Sequence, residues 1–94
     1  MSAGKERMEV HFEGDVQGVG FRYTSLNLAS RFAVVGYVMN LPDGRVQLVS
    51  VGAPSENQGL LDAIRQRMEP HIRSVDVAHG DPTGEFDRFE IRHP

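Results

Sequence analysis

The chain has 94 residues, enough for one domain around a single core. Its 39% hydrophobic and 24% charged residues are ordinary for a soluble globular protein, and the lack of cysteine removes disulfides and thiolate metal ligands. A net charge of −3 offers no general basic face for nucleic acid, and no apolar run reaches the ~20 residues of a membrane span or forms a signal-peptide core, so the cytoplasm is the expected compartment.

Residues 1–7, MSAGKER, are small, polar and charged, and read as a flexible leader before a single domain over 8–94. From Met8 to Glu13 the chain alternates, with Met8, Val10 and Phe12 on one side and Glu9, His11 and Glu13 on the other. That period of two predicts a half-buried strand. A glycine-rich loop follows, then a helical pattern over about 21–32 that gathers Phe21, Ser25, Leu28, Ala29 and Phe32 on one face. Val34 to Asn40 predicts a second strand, Leu41-Pro42-Asp43-Gly44 a tight turn, and Arg45 to Val51 the returning strand of a hairpin. Gly52-Ala53-Pro54 breaks that strand. Ser55 with Gln58 three residues on reads as a capping box opening a second helix, which carries Leu61, Ile64 and Met68 and is closed by Pro70. Val75 to Ala78 predicts a short strand, 79–85 a loop, and Phe89 to Arg92 a last short strand.

The order β-α-β-β-α-β, with one extra short strand, implies an α+β ferredoxin-like, split βαβ sandwich: an antiparallel sheet with two helices on one face. The first two strands are expected side by side at its centre. Val49 and Val51 alternate away from Val46 and Leu48, toward the face without helices. There they make either an apolar patch suited to self-association or scattered exposed valines.

The loop reads Gly14-Asp15-Val16-Gln17-Gly18-Val19-Gly20-Phe21-Arg22, with three glycines in seven residues. Glycine gives up more backbone entropy on folding than any other residue, so such a cluster needs a reason. One reading is a tight connection beside a surface arginine. The other is an anion cradle, in which the amides of Asp15, Val16, Gln17, Gly18, Val19 and Gly20 converge with the free N–H groups of a helix start. Arg22 then offers a planar fork of donors matched to phosphate oxygens. Neither GxxxxGK[ST] nor GxGxxG is present, which argues against nucleotide binding. Asn40, at a strand end before a turn, is either an ordinary turn residue or a carboxamide placed to position a water.

These two segments resemble the acylphosphatase family. GDVQGVGFR is similar to its phosphate-loop signature GxVQGVxFR, and GYVMNLPDGRVQLVSVG, from Gly36 to Gly52, to its second signature. The element order, the chain length and the closing Phe89-Glu90-Ile91-Arg92 fit as well, so the resemblance spans nearly all of residues 8–92; Phe12 departs from it, standing where an aliphatic residue is more usual. The resemblance implies metal-independent hydrolysis of acyl phosphates to a carboxylate and inorganic phosphate, without a cofactor. It assigns phosphate binding to Arg22 and the loop from Asp15 to Gly20, and positioning of the attacking water to Asn40. With no obvious general base in either segment, the substrate phosphate itself is expected to take the water's proton.

His11, His71, His79 and His93 lie far apart in the sequence and read as surface histidines, not metal ligands. Asp15 is expected to turn its carboxylate away from a bound phosphate. Thr24 either steadies the loop or lies on the helix surface. The expected partner is a small acyl phosphate, with no nucleic acid and no membrane, and the protein is expected to be a monomer. A catalytically silent anion-binding domain is the alternative. An RNA-binding module of the same fold class is disfavoured by the acidic balance and the 7% aromatic content, too little for base-stacking platforms.

Overall fold

In a computed structural model, which describes residues 4–94, eight elements follow one another. They are β1 (Glu6–Gly14), α1 (Phe21–Ala29), β2 (Val34–Asn40), β3 (Val46–Gly52), α2 (Pro54–Met68), a single 3-10 turn (Glu69–His71), β4 (Ile72–Gly80) and β5 (Phe89–Arg92). Of the expected leader, residues 1–3 lie outside the described residues, and β1 begins at Glu6, already paired to Gly52 of β3.

The five strands lie in the order β4-β1-β3-β2-β5. β3 is therefore the central strand, and it separates β1 from β2, correcting the expectation that those two are neighbours. The hairpin is the reason: β3 returns directly along β2, from Asn40↔Val46 to Val34↔Gly52, and fills the slot that the β1-α1-β2 crossover leaves open. The sheet is also mixed, not purely antiparallel. β5 runs parallel to β2, pairing Gly36 with Phe89 and Met39 with Arg92, because the chain crosses from the β4 edge to the opposite edge before forming it.

Side chains of alternate residues build the core. Met8, Val10, Phe12, Val38, Val46 and Leu48 point from the sheet to one face, where Phe21 and Leu28 of α1 and Leu60, Leu61 and Ile64 of α2 bury them. Phe12 meets Phe21 with ring centroids 4.9 Å apart at 56°, so the end of β1 and the start of α1 share one aromatic contact directly beneath the glycine loop.

Several boundaries differ from the sequence reading. α1 stops at Ala29, where Arg31 N donates to Leu28 O and Phe32 N to Ala29 O in a tightened last turn; the Phe32 ring still packs on the core, which is why its spacing looks helical. β4 runs nine residues, twice the reading from its valines, because an edge strand with mostly exposed side chains carries little apolar alternation. The capping box on Ser55 does not form. Pro54 is the first helical residue, Ala53 is the cap, and Ala53 O accepts from the Glu56 and Asn57 N–H groups.

Val49 and Val51 do face away from the helices, yet they are 0% and 6% exposed. No open apolar patch exists there. Val49 lies between Glu9 and Tyr37 in the register, under a polar roof: the Tyr37 hydroxyl donates to Gln47 Oε1 (3.1 Å), Gln47 Nε2 to Glu9 Oε2 (3.4 Å), and Arg7 Nη1 to Glu9 Oε1 (2.9 Å). Arg92 and Phe86 stack on the Tyr37 ring at 4.7 and 5.7 Å. Long side chains of β1, β2 and β3 itself close over the short ones of β3.

Candidate active site

The β1–α1 loop and the end of β2 meet at one end of the sheet. Val16 is wholly buried and anchors the loop to the core, whereas Asp15, Gln17, Gly18, Val19 and Gly20 are exposed. The Asp15 side chain is exposed and lies outside the cavity lining described below. Gly18 and Gly20 have φ of +79° and +77°, a left-handed backbone that turns successive amides to one side, and neither would bring a Cβ within 4 Å of another atom. Their glycine character answers to the backbone conformation, not to crowding.

Gly20 caps α1 without a side chain, so no hydroxyl or carboxylate uses the first amides of the helix. Thr24 N donates to Gly20 O at 3.0 Å. Among the described residues, no amide from Val16 to Arg22 donates to another backbone oxygen in a turn or loop. The first turn of α1 also holds no acidic residue, which leaves its positive end uncompensated. This run of unengaged donors is what an anion requires.

A cavity of about 120 Å³ opens onto them, lined by Val16, Gly18, Gly20, Phe21, Arg22, Tyr23 and Asn40. That is roughly four times the ~30 Å³ a water occupies in the liquid, room for one tetrahedral anion and a water. Arg22 is the one charged side chain in the lining. Asn40 ends β2 on the helix-covered face, in register with Val46. Its Oδ1 is buried and meets no hydrogen-bond donor among the described residues, in a side chain that belongs to the cavity lining. Of the residues the sequence singled out, Val16, Gly18, Gly20, Arg22 and Asn40 therefore share one lining. Asp15, Gln17 and Val19 belong to the same loop but do not line the cavity with their side chains.

Gln17 does something the sequence did not suggest. Its Nε2 donates to Leu41 O at 2.8 Å and to Arg45 O at 3.0 Å, tying the loop to the turn that begins right after Asn40. The same turn is closed by Leu41 N to Arg45 O at 2.8 Å. No local pattern could announce this clamp, because its acceptors lie 24 and 28 residues further along the chain. His93 is the second such residue: Arg22 Nη1 donates to its Nδ1 at 3.3 Å. Of the other histidines, His79 bonds Glu6 at 2.8 Å and His11 stands 3.7 Å from Glu9, both away from the cavity. The Thr24 hydroxyl takes no part in holding the loop among the described hydrogen bonds; only its backbone does.

Comparison with known proteins identifies the family. Residues 8–91 match the acylphosphatase family model. An acylphosphatase of Syntrophus aciditrophicus is 44% identical over 87 residues, covering 92% of this chain and 91% of that protein. An acylphosphatase of Geotalea uraniireducens is 40% identical over 90 residues, covering 95% and 99%. The crystal structure of acylphosphatase from Bacillus subtilis superposes with a TM-score of 0.83 at 26% identity, over 93% of this chain and 98% of that one. By these matches along almost its whole length, the chain belongs to the acylphosphatase family.

Proposed function

We propose that the cavity between the glycine loop and Asn40 is where this family member hydrolyses acyl phosphates to a carboxylate and inorganic phosphate. The loop amides and the Arg22 guanidinium hold the phosphate oxygens, and Asn40 Oδ1 accepts a hydrogen bond from the attacking water. The observation that carries this reading is Asn40, whose Oδ1 is buried and unpartnered among the described residues, in one small cavity lining with Arg22 and the glycines of the loop.

The chemistry asks for few groups. A carboxylate is a weakly basic leaving group, so the carboxyl–phosphate bond is already activated. Phosphoryl transfer then depends mostly on in-line positioning and on stabilising charge on the equatorial oxygens. Water forms the new P–O bond as the bridging P–O bond breaks, and the electron pair of the broken bond leaves on the carboxylate. The water's proton passes to a phosphate oxygen, so no side-chain base is needed. Amides fixed by the loop backbone, together with Arg22, supply donors that need no reorganisation as charge builds. The enzyme is taken to be monomeric and cytoplasmic, and the lack of cysteine accords with a reducing compartment.

The test is hydrolysis of benzoyl phosphate in metal-free buffer containing EDTA. Arg22→Ala should remove about 2–4 kcal/mol of transition-state stabilisation. Asn40→Ala should lower kcat far more than it weakens inhibition by inorganic phosphate. Equal losses in both would mean that Asn40 holds phosphate and not water, and a folded but inactive wild type would refute the activity.

A further inference from the structure

Three large apolar side chains are exposed among the described residues: Val19 at 37%, Tyr23 at 67% and Val77 at 39%. Val77 lies on the outer strand β4, whereas Tyr23 belongs to the cavity lining and Val19 to the loop that borders it. Tyr23 lines it directly, and Val19 sits between Gly18 and Gly20, both of which line it. Within the same loop, Val16 is turned fully inward, so the backbone that buries one valine presents the other to water. Tyr23 follows Arg22 on α1, away from the buried stripe of Phe21, Ser25 and Leu28. Its ring joins no aromatic pair and its hydroxyl no hydrogen bond among the described residues, so the fold gives the side chain no structural task.

We infer that Tyr23 and Val19 form an apolar rim that receives the acyl group, making aromatic or otherwise apolar acyl phosphates the preferred substrates. The inference rests on the hydrolysis proposed above. The acyl carbon is bonded through one oxygen to phosphorus, so a phosphate seated on the loop amides must leave its acyl group at the cavity mouth. There the group meets a tyrosine ring and a valine. Arg22 is the one charged side chain in the lining and is engaged with the phosphate, so a second anionic group on the acyl part finds no cation of its own there. An exposed aromatic beside a small polar pocket gains by covering an apolar ligand, since both surfaces leave water and ring–ring contact adds to the gain.

The experiment compares kcat/KM for benzoyl phosphate and acetyl phosphate in the wild type, Tyr23→Ala, Tyr23→Phe and Val19→Ala. The wild type should favour benzoyl phosphate. Tyr23→Ala should shrink the benzoyl-to-acetyl ratio roughly 3- to 10-fold, through KM for benzoyl phosphate, as expected for losing one ring contact. Tyr23→Phe, which keeps the ring, should retain the ratio, and Val19→Ala should shrink it less than Tyr23→Ala. A ratio unchanged in Tyr23→Ala, or equal losses on both substrates, would overturn the inference while leaving the hydrolysis intact. Failure of the folded wild type to hydrolyse either acyl phosphate would overturn the activity reading, and this inference with it.

Discussion

Arg22 Nη1 donates to His93 Nδ1 at 3.3 Å, joining residues 71 apart in the chain. The contact follows from strand order. β5 runs parallel to β2, so its last residues finish at the same end of the sheet as Asn40, and His93 comes directly after β5. One donor of the guanidinium is used in this way, which leaves the rest of its planar fork for phosphate. A long, half-buried arginine at a cavity mouth still samples several rotamers, and one fixed acceptor lowers the entropy lost on binding. His93→Ala should therefore raise the inhibition constant of inorganic phosphate roughly 2- to 5-fold, corresponding to a hydrogen bond of about 0.5–1 kcal/mol. His93→Asn, which retains an acceptor, should recover part of the loss. An unchanged constant in His93→Ala would show that Arg22 is held by other means.

The contrast with Asn40 shows what a sequence carries. The glycine loop, Arg22 and Asn40 stand out within a few residues, at a strand end and a helix start. The local pattern alone does not separate an anion cradle from a tight turn, and the family resemblance supplies the roles. The alternation of β1 and the hairpin of β2 and β3 are legible over the same short range. The contacts that assemble these pieces are not. His93 reaches Arg22 only because β5 is parallel to β2, and Gln17 reaches Leu41 only because β3 lies between β1 and β2. Val49 looks exposed from its alternation and is buried by Glu9, Gln47 and Tyr37, side chains from three strands. Strand order and the reach of long side chains are tertiary properties, and a pattern read over ten residues does not contain them.

Gln17 offers the sharpest separation of site from stability. Its two hydrogen bonds hold the loop against the turn after Asn40, but they lie at the surface, where water replaces them at little loss. Gln17→Ala should lower the unfolding free energy by only about 1 kcal/mol. It should lower kcat/KM by roughly 10-fold, because the loop amides and Asn40 no longer keep a fixed separation. Gln17→Glu should be worse on both counts, since a carboxylate cannot donate to the two carbonyls and repels phosphate. Thermal melts paired with steady-state kinetics would check this; a loss of stability without a loss of kcat/KM would assign Gln17 a purely structural role.

Asn57 should behave in the opposite manner. It is 1% exposed, accepts from Ser50 Oγ at 2.7 Å, and donates to Glu6 O at 2.9 Å and Gly52 O at 3.3 Å, so one side chain fastens α2 to β1 and β3. Asn57→Ala strands the Ser50 hydroxyl and a backbone carbonyl away from water and should cost about 2–3 kcal/mol of stability. Catalysis of the remaining folded protein should stay near normal, because the network is remote from the cavity. In a double-mutant cycle, Ser50→Ala should cost less in the Asn57→Ala background than alone. Strict additivity would show that the two groups do not act together.

Stability should fall away on both the acid and the alkaline side, for different reasons. The Arg7 guanidinium bonded to Glu9 holds that carboxyl below its ordinary 4.5, and the Arg45 backbone N–H does the same for Asp43, whose ordinary value is 3.8. The Arg92 side chain likewise holds Glu90 below its ordinary 4.5. A carboxyl lowered by folding contributes stability that is present above its unfolded value and is lost as pH falls through the lower folded one. The acid limb therefore begins near pH 4.5 and steepens below it. Tyr37 is shifted the other way: burial raises its phenol above the ordinary 10.0, so its contribution is intact below that value and disappears as pH climbs past it. Melting temperature plotted against pH should show a plateau between these limits. Glu9→Gln should flatten part of the acid limb and move the alkaline one only slightly, since burial outweighs the Glu9 charge in raising Tyr37. Tyr37→Phe should flatten the alkaline limb, with a lower plateau because the hydrogen bond to Gln47 is gone. An acid limb identical in wild type and Glu9→Gln would mean that the Arg7–Glu9 pair, with both side chains about a quarter to a third exposed, is screened by solvent to no net effect.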